Sequence, residues 1–191
     1  MRIDITQQDI SIGDKYSILV NDQQTYYASG AVLTLLAEIK LTKEKGGEPL
    51  LVIKKKFSPF AATYTIKLSD GTMLDFTTVS ILQMQYQCVC GEDTYDIYGN
   101  RGRKYSIFKN DVQIGYFVEA AVTMFMGDNY TIYANSDCDK ELVIAFCLII
   151  DNYANNDSRK SSININFNLG IFGLRKFDSD WEPNDGWLPD R

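Results

Sequence analysis

The sequence predicts a mainly β fold: a closed antiparallel barrel around one buried hydrophobic helix, followed by a C-terminal tail. Three observations predict it. Short alternating segments separated by turn signals fill the chain as far as Ala134. A Tyr-x-Ile pattern recurs along those segments, and residues two apart share one face of a strand. Late in the chain the nine residues Leu142 to Ile150, Leu-Val-Ile-Ala-Phe-Cys-Leu-Ile-Ile, carry no polar side chain. A helix apolar on every face must be surrounded by protein or lipid. That run is far shorter than the roughly 20 residues that span a bilayer, so protein is the expected wrapping.

The elements follow in order. Lys15 to Val20 reads as a strand, Asn21-Asp22-Gln23 as a turn, and the Tyr26-Tyr27 segment as the return. Ala31 to Leu41 is a longer apolar run that fits helix or strand by pattern. Glu44 to Pro49 is a loop, Leu50 to Phe57 a strand, and Tyr64 to Ser69 the next. Asp70-Gly71 is a hairpin signal, because both residues tolerate positive φ. Thr72 to Val79, Leu82 to Cys90 and Thr94 to Tyr98 continue the series. Gly99-Asn100-Arg101-Gly102 is expected to turn the chain into Arg103 to Lys109. Asn110-Asp111 marks another tight turn, before Val112 to Ala120. Gly127-Asp128-Asn129 turns into Tyr130 to Ala134. Such spacing fits a closed all-β unit. Tyr-x-Ile begins at Tyr16, Tyr64, Tyr95, Tyr105 and Tyr130, and five copies point to a repeated inward layer.

The core helix is expected at about 139–152, capped by Asp137 or Asp139, with Glu141 suited to the positive end of its dipole. Asp151-Asn152 is read as its polar exit. The domain boundary then falls at 1–153 for the barrel and 154–191 for the extension. Asn155 to Ser162 resembles a linker. Ile163, Ile165, Phe167 and Leu169 alternate with asparagines as a one-faced strand, fit to cap an edge or pair with another copy. Asp178 to Arg191 holds Trp181, Trp187, Pro183 and Pro189 among acids, as an aromatic tail docked on the barrel or as a partner-binding peptide.

Composition excludes several functions. The chain has 191 residues and a net charge of −6, which repels phosphate backbones at long range, so no nucleic acid is expected. Histidine is absent, which removes His-based acid/base chemistry and imidazole metal ligation. Cys88, Cys90, Cys138 and Cys147 lack paired C-x-x-C spacing and read as reduced, mostly buried thiols. Asp137, Asp139 and Glu141 lack the glycine and final glutamate of a calcium loop. No nucleotide-binding or nucleophile-elbow motif occurs, so a non-enzymatic module without cofactor or metal is expected. The polar start, Met1-Arg2-Ile3-Asp4-Ile5, lacks an apolar stretch, so no signal peptide or membrane span is expected, and the expected location is cytoplasmic, including the periphery of the membrane.

The order of motifs resembles the tubby C-terminal-like superfamily, in its LURP-one-related and phospholipid-scramblase-like branch. The residues that carry the likeness are Leu51 to Lys56, Thr63 to Ile66 with Asp70-Gly71, Tyr95 to Gly99, Tyr105 to Phe108, and Gly127 to Ile132 leading into Leu142 to Asp151. The likeness covers roughly residues 1 to 153. It implies about twelve strands in two similar halves, closed around the helix. Tubby proteins bind phosphoinositides through basic barrel residues; none of those positions is carried over here.

The residues themselves offer two basic groups. Lys54, Lys55 and Lys56 lie on one strand, with Lys54 and Lys56 sharing a face. Arg101, Arg103 and Lys104 flank the glycine turn. Lysines act as point charges for a lipid headgroup phosphate, and arginines grip it with two hydrogen bonds. Against this, charged clusters commonly do no more than solvate exposed strands and deter edge pairing. The expected function is contact with anionic phospholipid or phosphoinositide headgroups. The alternative is a protein-interaction or self-associating unit that uses the C-terminal extension.

Overall fold

The computed structural model describes residues 1–8, 14–30, 38–57, 61–119, 129–156 and 175–184. Twelve strands precede one helix: β1 Arg2–Gln8, β2 Asp14–Val20, β3 Gln23–Gly30, β4 Glu38–Thr42, β5 Pro49–Lys55, β6 Thr63–Leu68, β7 Met73–Ser80, β8 Gln85–Cys90, β9 Asp93–Asn100, β10 Lys104–Lys109, β11 Val112–Glu119, β12 Asn129–Ala134 and α1 Lys140–Asn156. Each strand pairs antiparallel with the next, and β1 pairs with β12 to close the barrel. The stretch 163–169, Trp187 and Pro189 lie outside the described residues.

Local chemistry sets the hairpins. Asn21 (φ 47°) and Asp22 (φ 65°) join β2 to β3, and Asn110 (φ 48°) and Asp111 (φ 68°) join β10 to β11. Two consecutive left-handed residues are what a type I′ turn requires, and its twist matches that of the strands. At Asp70-Gly71 only Gly71 takes positive φ, at 90°, while the Asp70 carboxylate accepts the Thr72 N–H at 2.8 Å. The turn expected over Gly99 to Gly102 is displaced. Gly99 and Asn100 end β9, and Arg101 to Arg103 make the turn. Gly99 is small for a packing reason, since a Cβ there would stand 2.7 Å from the Met84 Cβ.

The Tyr-x-Ile pattern is the inner layer. Both side chains of all five copies are at most 4% exposed. They enclose α1, whose Leu142 to Ile150 are at most 2% exposed. Contacts reach the helix from all round the wall. Phe146 meets Phe76 of β7 and Tyr95 of β9 at centroid distances of 5.8 and 5.4 Å. Hydroxyls of β2, β3, β6 and β12 donate to its polar residues.

The helix begins as expected and ends differently. Asp139 is its cap, with the carboxylate accepting the Leu142 N–H at 3.0 Å. Asp151 and Asn152, read from sequence as the exit, are buried at 1% and 0% exposure, and the helix runs on through Asn156. Tyrosines from the wall account for this. Tyr16 and Tyr130 each donate to one oxygen of Asp151 at 2.6 Å, and Tyr64 donates to Asn152 at 2.8 Å. At the other end Tyr26 donates to Glu141 at 2.7 Å. Burial first, and then the Asp151 charge, push the Tyr130 phenol far above its ordinary range.

Candidate functional site

Alternating strand directions give the barrel two unlike ends. Connections β2–β3, β4–β5, β6–β7, β8–β9 and β10–β11 lie at the end where α1 enters. With the segment before α1 they carry Asp22, Glu44, Glu48, Asp70, Glu92, Asp111, Asp137 and Asp139 against Lys43 and Lys45. The opposite end, here the rim, receives the C-terminus of α1. Its described connections carry Lys56, Arg101 and Arg103 and no acid. Among the described connections, one end is therefore strongly acidic and the other is basic; Glu38 and Glu119 stand on strand ends at the rim, and the sequence of its other connections adds Asp9 and Asp128.

All six basic residues singled out from sequence stand at or beside this rim. Lys54, Lys55 and Lys56 close β5, and Arg101, Arg103 and Lys104 surround the β9–β10 turn. Four strand steps separate the two groups, roughly 19 Å along the wall at the usual strand spacing. They are two sites on one rim rather than one pocket.

Most of these cations already hold a partner. Lys54 bridges to Glu38 at 3.0 Å, Lys56 to Asp75 at 2.6 Å, and Arg103 to Glu119 at 3.0 Å. The hydrogen bond from Lys54 is the largest influence holding the Glu38 carboxyl below its ordinary range. Such exposed pairs are worth about 0–1 kcal/mol, so a phosphate competes for them cheaply. Lys104 lies over the Phe177 ring, 4.5 Å from its centroid. Lys55 pairs in register with Tyr64 on the inward-facing parity of β5, half-buried. There a cation suits the negative end of a helix whose last turn has no basic residue. The Lys54–Lys56 run thus divides into two outward lysines and one that faces the barrel mouth.

Sequence reasoning missed the apolar part of the rim. Phe57 (72% exposed), Val79 (54%) and Leu82 (66%) stand on the β5–β6 and β7–β8 connections or the strand end beside them. Main-chain bonds tie those connections together, with Thr78 N–H donating to the Ala62 carbonyl at 2.9 Å. The available signal was two large apolar residues in the connections, Phe57 and Leu82, and a third, Val79, at an outward position near the end of β7.

The described part of the C-terminal extension, residues 175–184, lies against the outer wall. Arg175 stacks on Phe108 at 4.3 Å and reaches the Asp111 carboxylate. Phe177 and Trp181 meet Tyr116 edge-on, and the Trp181 indole N–H donates to the Gln113 carbonyl at 3.2 Å. Asn184 bonds Asn135, Ser136 and Asp137 beside the start of α1. Asp137 is thereby occupied and Asp139 is a cap. Among the described residues no group of three His, Cys, Asp or Glu side chains could hold a metal. Among them, too, no helix is long and apolar enough to cross a membrane.

A groove of about 330 Å³ opens between β2, β3 and β4, lined in part by Tyr27, Ser29, Thr42 and Lys45. Lys45 lies over the Tyr27 ring at 5.4 Å, which accounts for the cation there.

Residues 1–151 match the LURP-one-related family. The chain belongs to that family, within the tubby-like superfamily. No curated protein and no solved structure matches it.

Proposed function

We propose that this LURP-one-related barrel is a non-enzymatic binding module that contacts anionic phospholipid headgroups through the rim opposite the helix entry, on the cytoplasmic face of a membrane. The observation that carries the reading is the charge difference between the two barrel ends. The acidic end is repelled by a negative surface, so an approaching protein turns the rim cations toward it. Two basic groups roughly 19 Å apart along the wall suit a plane of many phosphates better than one soluble ligand. Lys54, Lys56, Arg101 and Arg103 supply the attraction in this reading, with Lys104 beside them and Lys55 at the mouth.

Vesicle sedimentation tests it. The protein is expected to pellet with phosphatidylcholine vesicles containing phosphoinositide or phosphatidylserine, less so as salt rises, and not with phosphatidylcholine alone. Each charge near the surface is worth about 1 kcal/mol, so Lys54→Glu with Lys56→Glu should weaken partition by more than about tenfold. Equal pelleting on neutral and anionic vesicles refutes the reading.

The alternative, a protein-interaction unit built on the extension, is less supported. Phe177 and Trp181 are already engaged by the barrel's own wall.

A further inference from the structure

We infer that the rim does more than lie beside headgroups: it inserts apolar side chains into the bilayer, with the barrel standing end-on. This rests on the headgroup reading above. Three facts converge. Phe57, Val79 and Leu82 are among the most exposed large apolar side chains of the described residues, at 72, 54 and 66%. They gather at neighbouring connections of one barrel end, whereas scattered single apolar residues would need no explanation. The same end is flanked by Lys54, Lys56, Arg101 and Arg103; its described connections have no acid, and Glu38 and Glu119 on its strand ends are engaged by Lys54 and Arg103.

The remaining exposed large apolar residues provide the contrast. Met73 and Val112 stand beside the acidic turns at Asp70 and Asp111. Val89 lies on the outer wall near the same end. Met73 and Val112 each face a lysine across the ladder, Lys67 and Lys109, but these cations stand among the acids of that end, with Lys109 bridged to Asp93. A protein partner would be met equally well by either kind of patch. Apolar tips bordered by cations match the layered chemistry of an anionic membrane, which is negative outside and hydrocarbon within.

Position also favours an end-on pose. Phe57 directly follows Lys56, and Val79 is the last residue but one of the strand that carries Asp75, the partner of Lys56. When Lys54 and Lys56 exchange Glu38 and Asp75 for lipid phosphates, the aromatic ring next in sequence meets the interface. Phe57, Val79 and Leu82 are exposed already, so their insertion requires no opening of the barrel.

The test compares the parent with Phe57→Ala/Leu82→Ala and with Lys54→Glu/Lys56→Glu on phosphatidylcholine–phosphatidylserine vesicles across a salt series. Far-UV circular dichroism confirms that each variant is folded. The parent is expected to keep a salt-resistant fraction on the vesicles. In the alanine variant that fraction falls by at least about tenfold, because burying one such side chain is worth more than the 1.4 kcal/mol that a factor of ten represents, while low-salt binding persists. A Leu82→Trp protein should also be quenched by lipids brominated on the acyl chain, beyond any quenching of the parent. If the alanine variant pellets like the parent at every salt concentration, insertion is refuted and headgroup contact stands. If the parent fails to bind anionic vesicles at all, both readings fall. If the parent dimerises without lipid and the alanine variant does not, the rim is a contact between copies and the proposal is overturned.

Discussion

Asp151 is a carboxylate enclosed in the barrel, and its energetics can be measured. Tyr16 donates to one of its oxygens and Tyr130 to the other, each at 2.6 Å. Changing either tyrosine to phenylalanine keeps the ring and removes one hydroxyl. A hydrogen bond to a charged group contributes about 1.5–3 kcal/mol. For a chain of this size that lowers the melting temperature by about 3–12 °C. The double variant should lose more than the sum of the singles, because each hydroxyl shares the burden of one buried carboxylate. Chemical denaturation followed by circular dichroism gives all four corners of the cycle. Tyr116→Phe is the control. It lies on the outer wall, keeps its ring contacts with Phe177 and Trp181, and should stay within about 0.5 kcal/mol of the parent. A Tyr16→Phe/Tyr130→Phe protein within about 1 kcal/mol of the parent would show that the carboxylate is solvated or held by other groups.

Two further outcomes follow from the same interior. Ile144 is fully buried, so Ile144→Asp puts an unpaired charge in the core at a cost of several kcal/mol, comparable to the stability of a whole domain; a cooperative melt like the parent's would contradict the enclosed helix. Burial raises the phenols of Tyr86, Tyr105 and Tyr130, so folding retains protons that the unfolded chain releases near pH 10. Stability from these groups is whole below that pH and declines as pH rises above it. Absorbance of tyrosinate at alkaline pH should therefore include a cooperative step that coincides with loss of circular dichroism, and gradual ionisation of every tyrosine with the fold intact would be incompatible with this packing.

The sequence was legible where one residue's chemistry decides the outcome. Asn21-Asp22 and Asn110-Asp111 tolerate the left-handed backbone that their turns require. Tyr-x-Ile fixes strand parity, and the run from Leu142 has no face suited to water. Legibility failed where the answer depends on what stands opposite. Asp151 and Asn152 look like an exit until the hydroxyls of Tyr16, Tyr64 and Tyr130 are placed against them. Gly99 looks like a turn until Met84 is brought beneath it. For Lys54, Lys56 and Arg103 the type and strand face could be read, but their partners Glu38, Asp75 and Glu119 could not, because register across strands is not local information. The gathering of two basic groups at one end came from strand count: an even number of antiparallel strands separates β5 from the β9–β10 turn, so both face the same way.

Strand number and helix are mutually required. Eight strands leave an interior that side chains can fill, and sixteen leave a channel. Twelve fall between, and a helix of about 10 Å diameter supplies the missing volume. Apolar burial alone would hold α1 inside but would fix its rotation and height poorly, because Leu142 to Ile150 are greasy all round. Directional bonds at both ends provide that register, Tyr26 to Glu141 near the entry and Tyr16, Tyr64 and Tyr130 to Asp151 and Asn152 near the rim. Tyr16, Tyr26, Tyr64 and Tyr130 thus do what phenylalanines could not. They keep the wall apolar toward the helix body while giving its polar termini defined partners, so the rim is presented on a barrel whose core has one arrangement.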